Sequence, residues 1–161
     1  MDMASRFRTL AHTDLEELVQ NFPQPQPDAH AKRLAHQDAG DYSYFCTEQD
    51  GIIAAIQLVR WIGPRKQEDR ILSQLPEIGS LYVRPEYRGK GLGGALIAHS
   101  EDTVYKQGYT GVGAIIKDSN AISTHMHLRR GYRPIGVATR TDQDPDEPRT
   151  YYIKQFPQTD F

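Results

Sequence analysis

The sequence is poor in cysteine. Its one thiol, Cys46, excludes an internal disulfide and a zinc site built on paired CxxC thiolates. A chain with no disulfide to form points to a reducing compartment, the cytoplasm. Long apolar runs are missing as well. Stretches such as Gly51-Ile52-Ile53-Ala54-Ala55-Ile56 fall far short of the about 20 residues a membrane span takes. Met1-Asp2-Met3-Ala4-Ser5-Arg6 lacks the apolar segment of a secretion signal. Neither sign of charge dominates: 19 Lys and Arg against 21 Asp and Glu leave a formal charge of −2. That balance argues against a dedicated nucleic-acid binder, which carries a basic face. No internal repeat is visible. No histidine cluster suggests a metal, because His125 and His127 stand two apart on a helix and point to roughly opposite sides.

What is present is enough for one core. The 161 residues are 38% hydrophobic and 25% charged, which suits a single domain over residues 1–161 and rules out a disordered polyelectrolyte. Apolar periodicity predicts strands over 7–10, 42–48, 52–59, 78–84, 110–116, 132–139 and 150–156. Helices are predicted after Thr13, with Leu15, Leu18 and Val19 on one side, over 28–36, over 91–107, and from Asp118 or Ser119 to Arg129. Gln49-Asp50-Gly51 reads as a hairpin turn, and Pro23, Pro25 and Pro27 end the first helix. Residues 61–76 read as a long loop with a short helix near 71–75. An antiparallel meander followed by a β-α-β unit implies one α+β sheet covered by helices.

The most informative stretch is Arg88-Gly89-Lys90-Gly91-Leu92-Gly93-Gly94, between a predicted strand and a predicted helix. Glycines let backbone N–H groups approach a ligand, and a helix N-terminus adds positive potential, so the place suits a diphosphate. Arg88 and Lys90 add formal charge. A triphosphate loop needs Ser or Thr after the lysine, and Lys90 is followed by Gly91. A dinucleotide fingerprint GxGxxG is literally present at Gly89, Gly91 and Gly94, with Asp118 near where a ribose-binding acid belongs. There, however, the first glycine should follow its strand at once, and Pro85-Glu86-Tyr87-Arg88 intervenes.

Arg88-x-x-Gly91-x-Gly93 resembles the Q/R-x-x-G-x-G/A motif of the GNAT N-acetyltransferases, and the run from Glu77 to Gly93 looks like that family throughout. Asn120 and the pair Gly131-Tyr132 match the family's next helix and the glycine-aromatic pair after it. The resemblance covers residues 77–136 and is topological elsewhere. It implies a mixed, mostly antiparallel sheet of six to seven strands flanked by about four helices. It implies acetyl-CoA as co-substrate, with phosphates on the amides of Arg88, Gly89, Lys90, Gly91, Leu92, Gly93 and Gly94. The pantetheine would lie along Leu81, Tyr82 and Val83 like an added strand. Asn120 would bond the pantetheine arm, on a helix face shared with Ser123 and His127. The chemistry implied is acetyl transfer to a primary amine of a small molecule, peptide or protein, by direct attack in a ternary complex without a metal. Homodimers are common in the family.

Within that resemblance Glu77 is the candidate general base, the alternative being a strand-end carboxylate without a chemical role. His127 stands where the family usually has Tyr, proposed as general acid for the leaving thiolate. An imidazolium can serve as an acid, or the ring can simply pack. Cys46 alternates with Tyr42 and Tyr44 and reads as a buried structural thiol. For the acceptor, Asp14, Glu16, Glu17, Asp142, Asp144, Asp146 and Glu147 would favour a cationic amine, the alternative being a solvated hairpin and a helix that complements its own dipole. Trp61 could wall the pocket, and Arg65, Lys66 and Arg70 would instead favour CoA phosphate or an acidic substrate. Two other readings compete: a non-catalytic acyl-CoA-binding regulatory module, and a dinucleotide-binding oxidoreductase.

Overall fold

The computed structural model describes residues 6–61, 75–138 and 147–157. Among them the strands are β1 (Arg6–Thr9), β2 (Tyr42–Gln49), β3 (Ile52–Arg60), β4 (Glu77–Val83), β5 (Gly111–Lys117), β6 (Arg133–Val137) and β7 (Arg149–Gln155). The helices are α1 (Leu15–Asn21), α2 (Ala29–Asp38), α3 (Leu92–Lys106) and α4 (Ala121–Arg129), with short 3-10 turns at His12–Asp14 and Pro85–Tyr87. The strands form one sheet in the order β1-β2-β3-β4-β5-β7-β6. The β1/β2, β2/β3, β5/β7 and β6/β7 ladders are antiparallel and β4/β5 is parallel. This is the mixed, mostly antiparallel α+β sheet that the element order implies. A doubly wound parallel sheet, which the dinucleotide reading needs, is absent among the described residues.

The described residues fall into two compact units, 6–61 with 79–100 and 75–78 with 101–138 and 147–157. In the first, β3 reads Ile-Ile-Ala-Ala-Ile-Gln-Leu-Val and is buried from Ile53 to Val59, as befits a strand covered on both faces. On one face Leu18 and Phe22 of the α1 region and Leu34 of α2 pack with Tyr44, Cys46, Ile56 and Leu58. On the other, His99 of α3 stacks on Phe7 and meets Phe45 edge-on. Inside that core Ser100 Oγ donates to Gln57 Oε1 at 2.7 Å. Burial pushes the Cys46 thiol up to about 12, so it is an inert core group.

In the second unit β7 lies between β5 and β6. Glu101 of α3 is buried and accepts from Arg130 Nη2 at 2.8 Å, the Tyr132 hydroxyl at 2.7 Å and Lys154 Nζ at 3.1 Å. Burial works against its charge, but those hydrogen bonds more than offset it and hold the carboxyl below its ordinary value. Gly113 is required by close approach: a Cβ there would meet the Tyr151 hydroxyl and stand 2.7 Å from a carbon of its ring.

Several expected boundaries shift. The first helix does not start from a Thr13 cap. Arg8 holds the Asp14 carboxylate at 2.8 Å, the same carboxylate accepts from Ala11 N at 2.7 Å, and a 3-10 turn precedes Leu15. Val19 is exposed rather than sharing the Leu18 face. Neither Asp118 nor Ser119 caps α4. Thr150 donates to Asp118 at 2.6 Å, and the Asn120 side chain accepts from Ser123 N at 3.0 Å in the cap position. The last-but-one strand ends at Val137. The helix expected near 71–75 lies outside the described residues except for Leu75, and so do Arg65, Lys66, Arg70, Asp142, Asp144 and Asp146.

Candidate active site

Strand β4 leads into the glycine turn through Pro85–Tyr87, which closes with Tyr87 N on Arg84 O at 2.9 Å. Gly89 and Gly91 then take left-handed φ of +77° and +80°, conformations that side-chain-bearing residues resist. No atom lies within 4 Å of where a Cβ would stand at Gly89, Gly91 or Gly94. The first amide to bond back along α3 is that of Ala95, to Gly91 O at 3.0 Å. The amides of Leu92, Gly93 and Gly94 therefore precede the ladder, as at any helix start, and are donors for an anion. Arg88 is not aimed at them. Its Nε donates to Val83 O at 2.8 Å and its guanidinium lies 5.3 Å from the Tyr82 ring centre. Lys90 reaches over Tyr87 at 5.6 Å.

Glu77 opens β4, is 2% exposed, and pairs in parallel register with Gly113. The parallel ladder spans only Glu77 and Ile78. On α4, Ser123 and His127 do share a face: His127 Nδ1 is 2.7 Å from Ser123 O and 3.4 Å from Ser123 Oγ. Since a carbonyl only accepts, Nδ1 carries the proton and Nε2 does not. His127 is 4% exposed and stands edge-on to Tyr132, with ring centres 4.9 Å apart. Burial lowers its affinity for a proton, which the Ser123 carbonyl and Glu101 only partly restore. His127 is thus a neutral ring at pH 7. The Asn120 Oδ1 is spent on its cap, which leaves its exposed amide nitrogen to donate outward.

The Acetyltransferase (GNAT) family model matches residues 8–132. The chain belongs to this family. Solved structures carry the same fold at low identity. The ribosomal-protein-S18-alanine N-acetyltransferase of Escherichia coli is 19% identical with a TM-score of 0.73, over 98% of this chain and 97% of that one. An N-acetyltransferase of Thermoplasma acidophilum, solved with coenzyme A, is 15% identical at 0.71, over 96% and 100%. The yncA protein of Salmonella typhimurium, solved with acetyl-CoA, is 16% identical at 0.71, over 98% and 97%. As a GNAT protein the chain is an acyltransferase with acetyltransferase activity. Membership sets aside the oxidoreductase reading of Gly89, Gly91 and Gly94 as well as the non-catalytic module.

Two features of this GNAT chain escape sequence reasoning. Ser80, in the middle of β4, has φ +56°, a left-handed kink that no residue pattern announces. Beside it stands Arg33 of α2, whose Nη2 is 3.3 Å from Ser80 Oγ and 2.9 Å from Gln24 Oε1, and whose Nη1 is 3.1 Å from the Tyr44 hydroxyl. The acids expected around the acceptor are partly spent inside the fold: Asp14 on Arg8, Glu17 on the amide of Ile53 at 2.9 Å, and Glu147 on Lys117 at 2.9 Å. Trp61 is tied to Ser43 Oγ at 2.8 Å.

Proposed function

We propose that the protein transfers the acetyl group of acetyl-CoA to a primary amine by direct attack within a ternary complex. The observation that supports this most is the left-handed Gly89–Gly91 turn, which leads from the 3-10 turn after β4 into the start of α3 with open space where side chains would stand. The amides of residues 89–94 take the pyrophosphate, that of Arg88 being spent on Pro85 O at 3.3 Å. The backbone of Leu81, Tyr82 and Val83 lines the pantetheine as an added strand would, since the pairing of β4 with β5 stops at Ile78. Asn120 donates its side-chain amide to the same arm, and Ser123 follows on that face of α4.

A primary ammonium with a pKa near 10.4 is less than about 0.1% neutral at pH 7, and only the neutral amine attacks. Glu77 takes that proton, directly or through one water. A backbone N–H of the kinked strand, at Tyr82 or Val83, stabilises the tetrahedral oxygen as the amine nitrogen bonds to the acyl carbon. The C–S bond then breaks, and the departing thiolate takes up the second proton, which the nitrogen gives up as it becomes an amide. His127 suits the general-acid role less well than its position in the sequence implies, because its free nitrogen accepts rather than donates. We assign it to holding Ser123 and the α4 face in place.

Thermal unfolding with acetyl-CoA, CoA, NAD or ATP tests the reading. A ligand at 100 times its dissociation constant stabilises by about 2.7 kcal/mol. A shift with acetyl-CoA and none with NAD or ATP is expected; a shift with NAD alone overturns it. Glu77→Gln should lower kcat by about 10²- to 10⁴-fold while acetyl-CoA still binds, with the loss shrinking at high pH where the amine is already neutral. An unchanged kcat removes Glu77 from the chemistry.

A further inference from the structure

Arg33 is a half-buried cation held entirely by neutral acceptors. Its three partners are the Tyr44 hydroxyl, Gln24 Oε1 and Ser80 Oγ, and no carboxylate pairs with it among the described residues. Three other arginines differ in this respect: Arg8 has Asp14 and Glu48, Arg84 has Glu86, and Arg130 has Glu101. Taking a guanidinium partly out of water without a counter-charge is costly, and such groups are normally paired.

The group is also rigidly aimed. His30, 3% exposed, has Nε2 2.7 Å from Phe22 O and Nδ1 2.8 Å from the Tyr44 hydroxyl. The Phe22 carbonyl fixes the ring proton on Nε2, so the Tyr44 hydroxyl donates to Nδ1. That leaves the hydroxyl's lone pairs to accept from Arg33. Burial, aided by the Arg33 charge, holds His30 below its ordinary value, which keeps the relay in this one arrangement. Arg33 further lies 5.6 Å from the Tyr44 ring centre. Two of its five N–H bonds, one on Nε and one on Nη1, have no acceptor among the described residues.

Its place gives this an object. Ser80 is the kink of β4, and the next three residues are those assigned above to the acyl donor. We infer that Arg33 binds a carboxylate of the acceptor, so that the amine acetylated belongs to an amino acid or short peptide rather than to a simple amine or polyamine. The inference rests on the acetyl-transfer reading. Asp14 and Glu17, already engaged within the fold, do not oppose an anion there.

The test compares matched acceptors at saturating acetyl-CoA, scored by thiol release: L-phenylalanine with phenethylamine, L-lysine with 1,5-diaminopentane, and Ala-Ala with Ala-Ala amide. The carboxylate-bearing member should have the higher kcat/KM by about 10- to 100-fold, the value of one charge-assisted contact. In Arg33→Gln that ratio should collapse toward one, mainly through KM, and Arg33→Lys should keep part of it because the point charge remains. The dipeptide pair separates a free amino acid from a peptide terminus. Equal or better rates for the members without carboxylate overturn the inference, and so does a ratio that survives in Arg33→Gln. Binding of acetyl-CoA with no acetylation of any carboxylate-bearing member overturns it too. Failure to bind acetyl-CoA at all is a different result and defeats the acetyl-transfer reading beneath it.

Discussion

Gly91 and Gly40 make a controlled pair. Gly91 has φ +80° in the loop before α3, and Gly40 has φ +85° in the turn after α2. At neither does any atom lie within 4 Å of where a Cβ would stand. Alanine at either position therefore meets no clash and costs only its conformation, about 1–2 kcal/mol for a left-handed residue with a side chain. At this chain length that lowers the melting temperature by about 2–8 °C where the strain is retained in full, and by less where the loop relaxes. Their effects on acetyl-CoA should part company. The Gly91→Ala loop can relieve its strain by rotating out of the left-handed region, which turns the neighbouring amides off the pyrophosphate. Binding then has to restore them, so affinity falls by up to about 5- to 30-fold, the same energy seen at the binding step. Gly40→Ala should bind as the parent does. Melting curves and titration calorimetry with acetyl-CoA read the two quantities separately. Equal affinity in Gly91→Ala and Gly40→Ala would refute the assignment of the phosphates to this turn.

Burial holds His30 and His127 below the ordinary histidine value in the folded chain. Below about pH 6.5 the unfolded chain binds protons that the folded chain refuses, so their contribution is present above that pH and is lost as the pH falls toward the folded values. The melting temperature should drop between about pH 7.5 and about pH 5.5, and drop less in His127→Gln; an identical drop in the variant would mean the ring is not held neutral. Glu101→Gln removes the charge that Arg130 and Lys154 share. Since those partners are 27% and 22% exposed, the loss should be about 2–3 kcal/mol in a urea titration, below that of a fully buried pair. Because the Glu101 carboxyl is held below its ordinary value, the difference should shrink once the pH falls through that lowered value.

The legible parts of the fold were those decided by neighbours in sequence. The apolar run of β3, the Asp50-Gly51 turn and the periodicity of α3 need only local rules, and each appears within a residue or two of expectation. The cap of α4 departs from expectation because one of its two candidates, Asp118, is claimed by Thr150, 32 residues away. The start of α1 was misjudged for a related reason: Arg8 fixes Asp14 and so sets the turn. The glycine loop was visible because glycine itself records the conformation it must adopt. Ser80 records nothing, since serine is rarely left-handed. Arg33 draws its meaning from Gln24, Tyr44 and Ser80, 9, 11 and 47 positions away, a juxtaposition that only the folded chain makes.

Strand β4 gives up ladder bonds where a regular strand could have made them. Its pairing with β5 covers Glu77 and Ile78, and at Ser80 the backbone turns left-handed. Each bond forgone costs about 0.5–1.5 kcal/mol, and the kink about 1–3 more. Past Ile78 the side of β4 toward β5 has no ladder partner, while β3 still flanks the other side, and a bare strand edge accepts a foreign strand as readily as a ligand. An acyl donor lying there, as proposed above, would shield the strand as well as feed it, and the chain should then self-associate more slowly with acetyl-CoA present than without it, as light scattering reads.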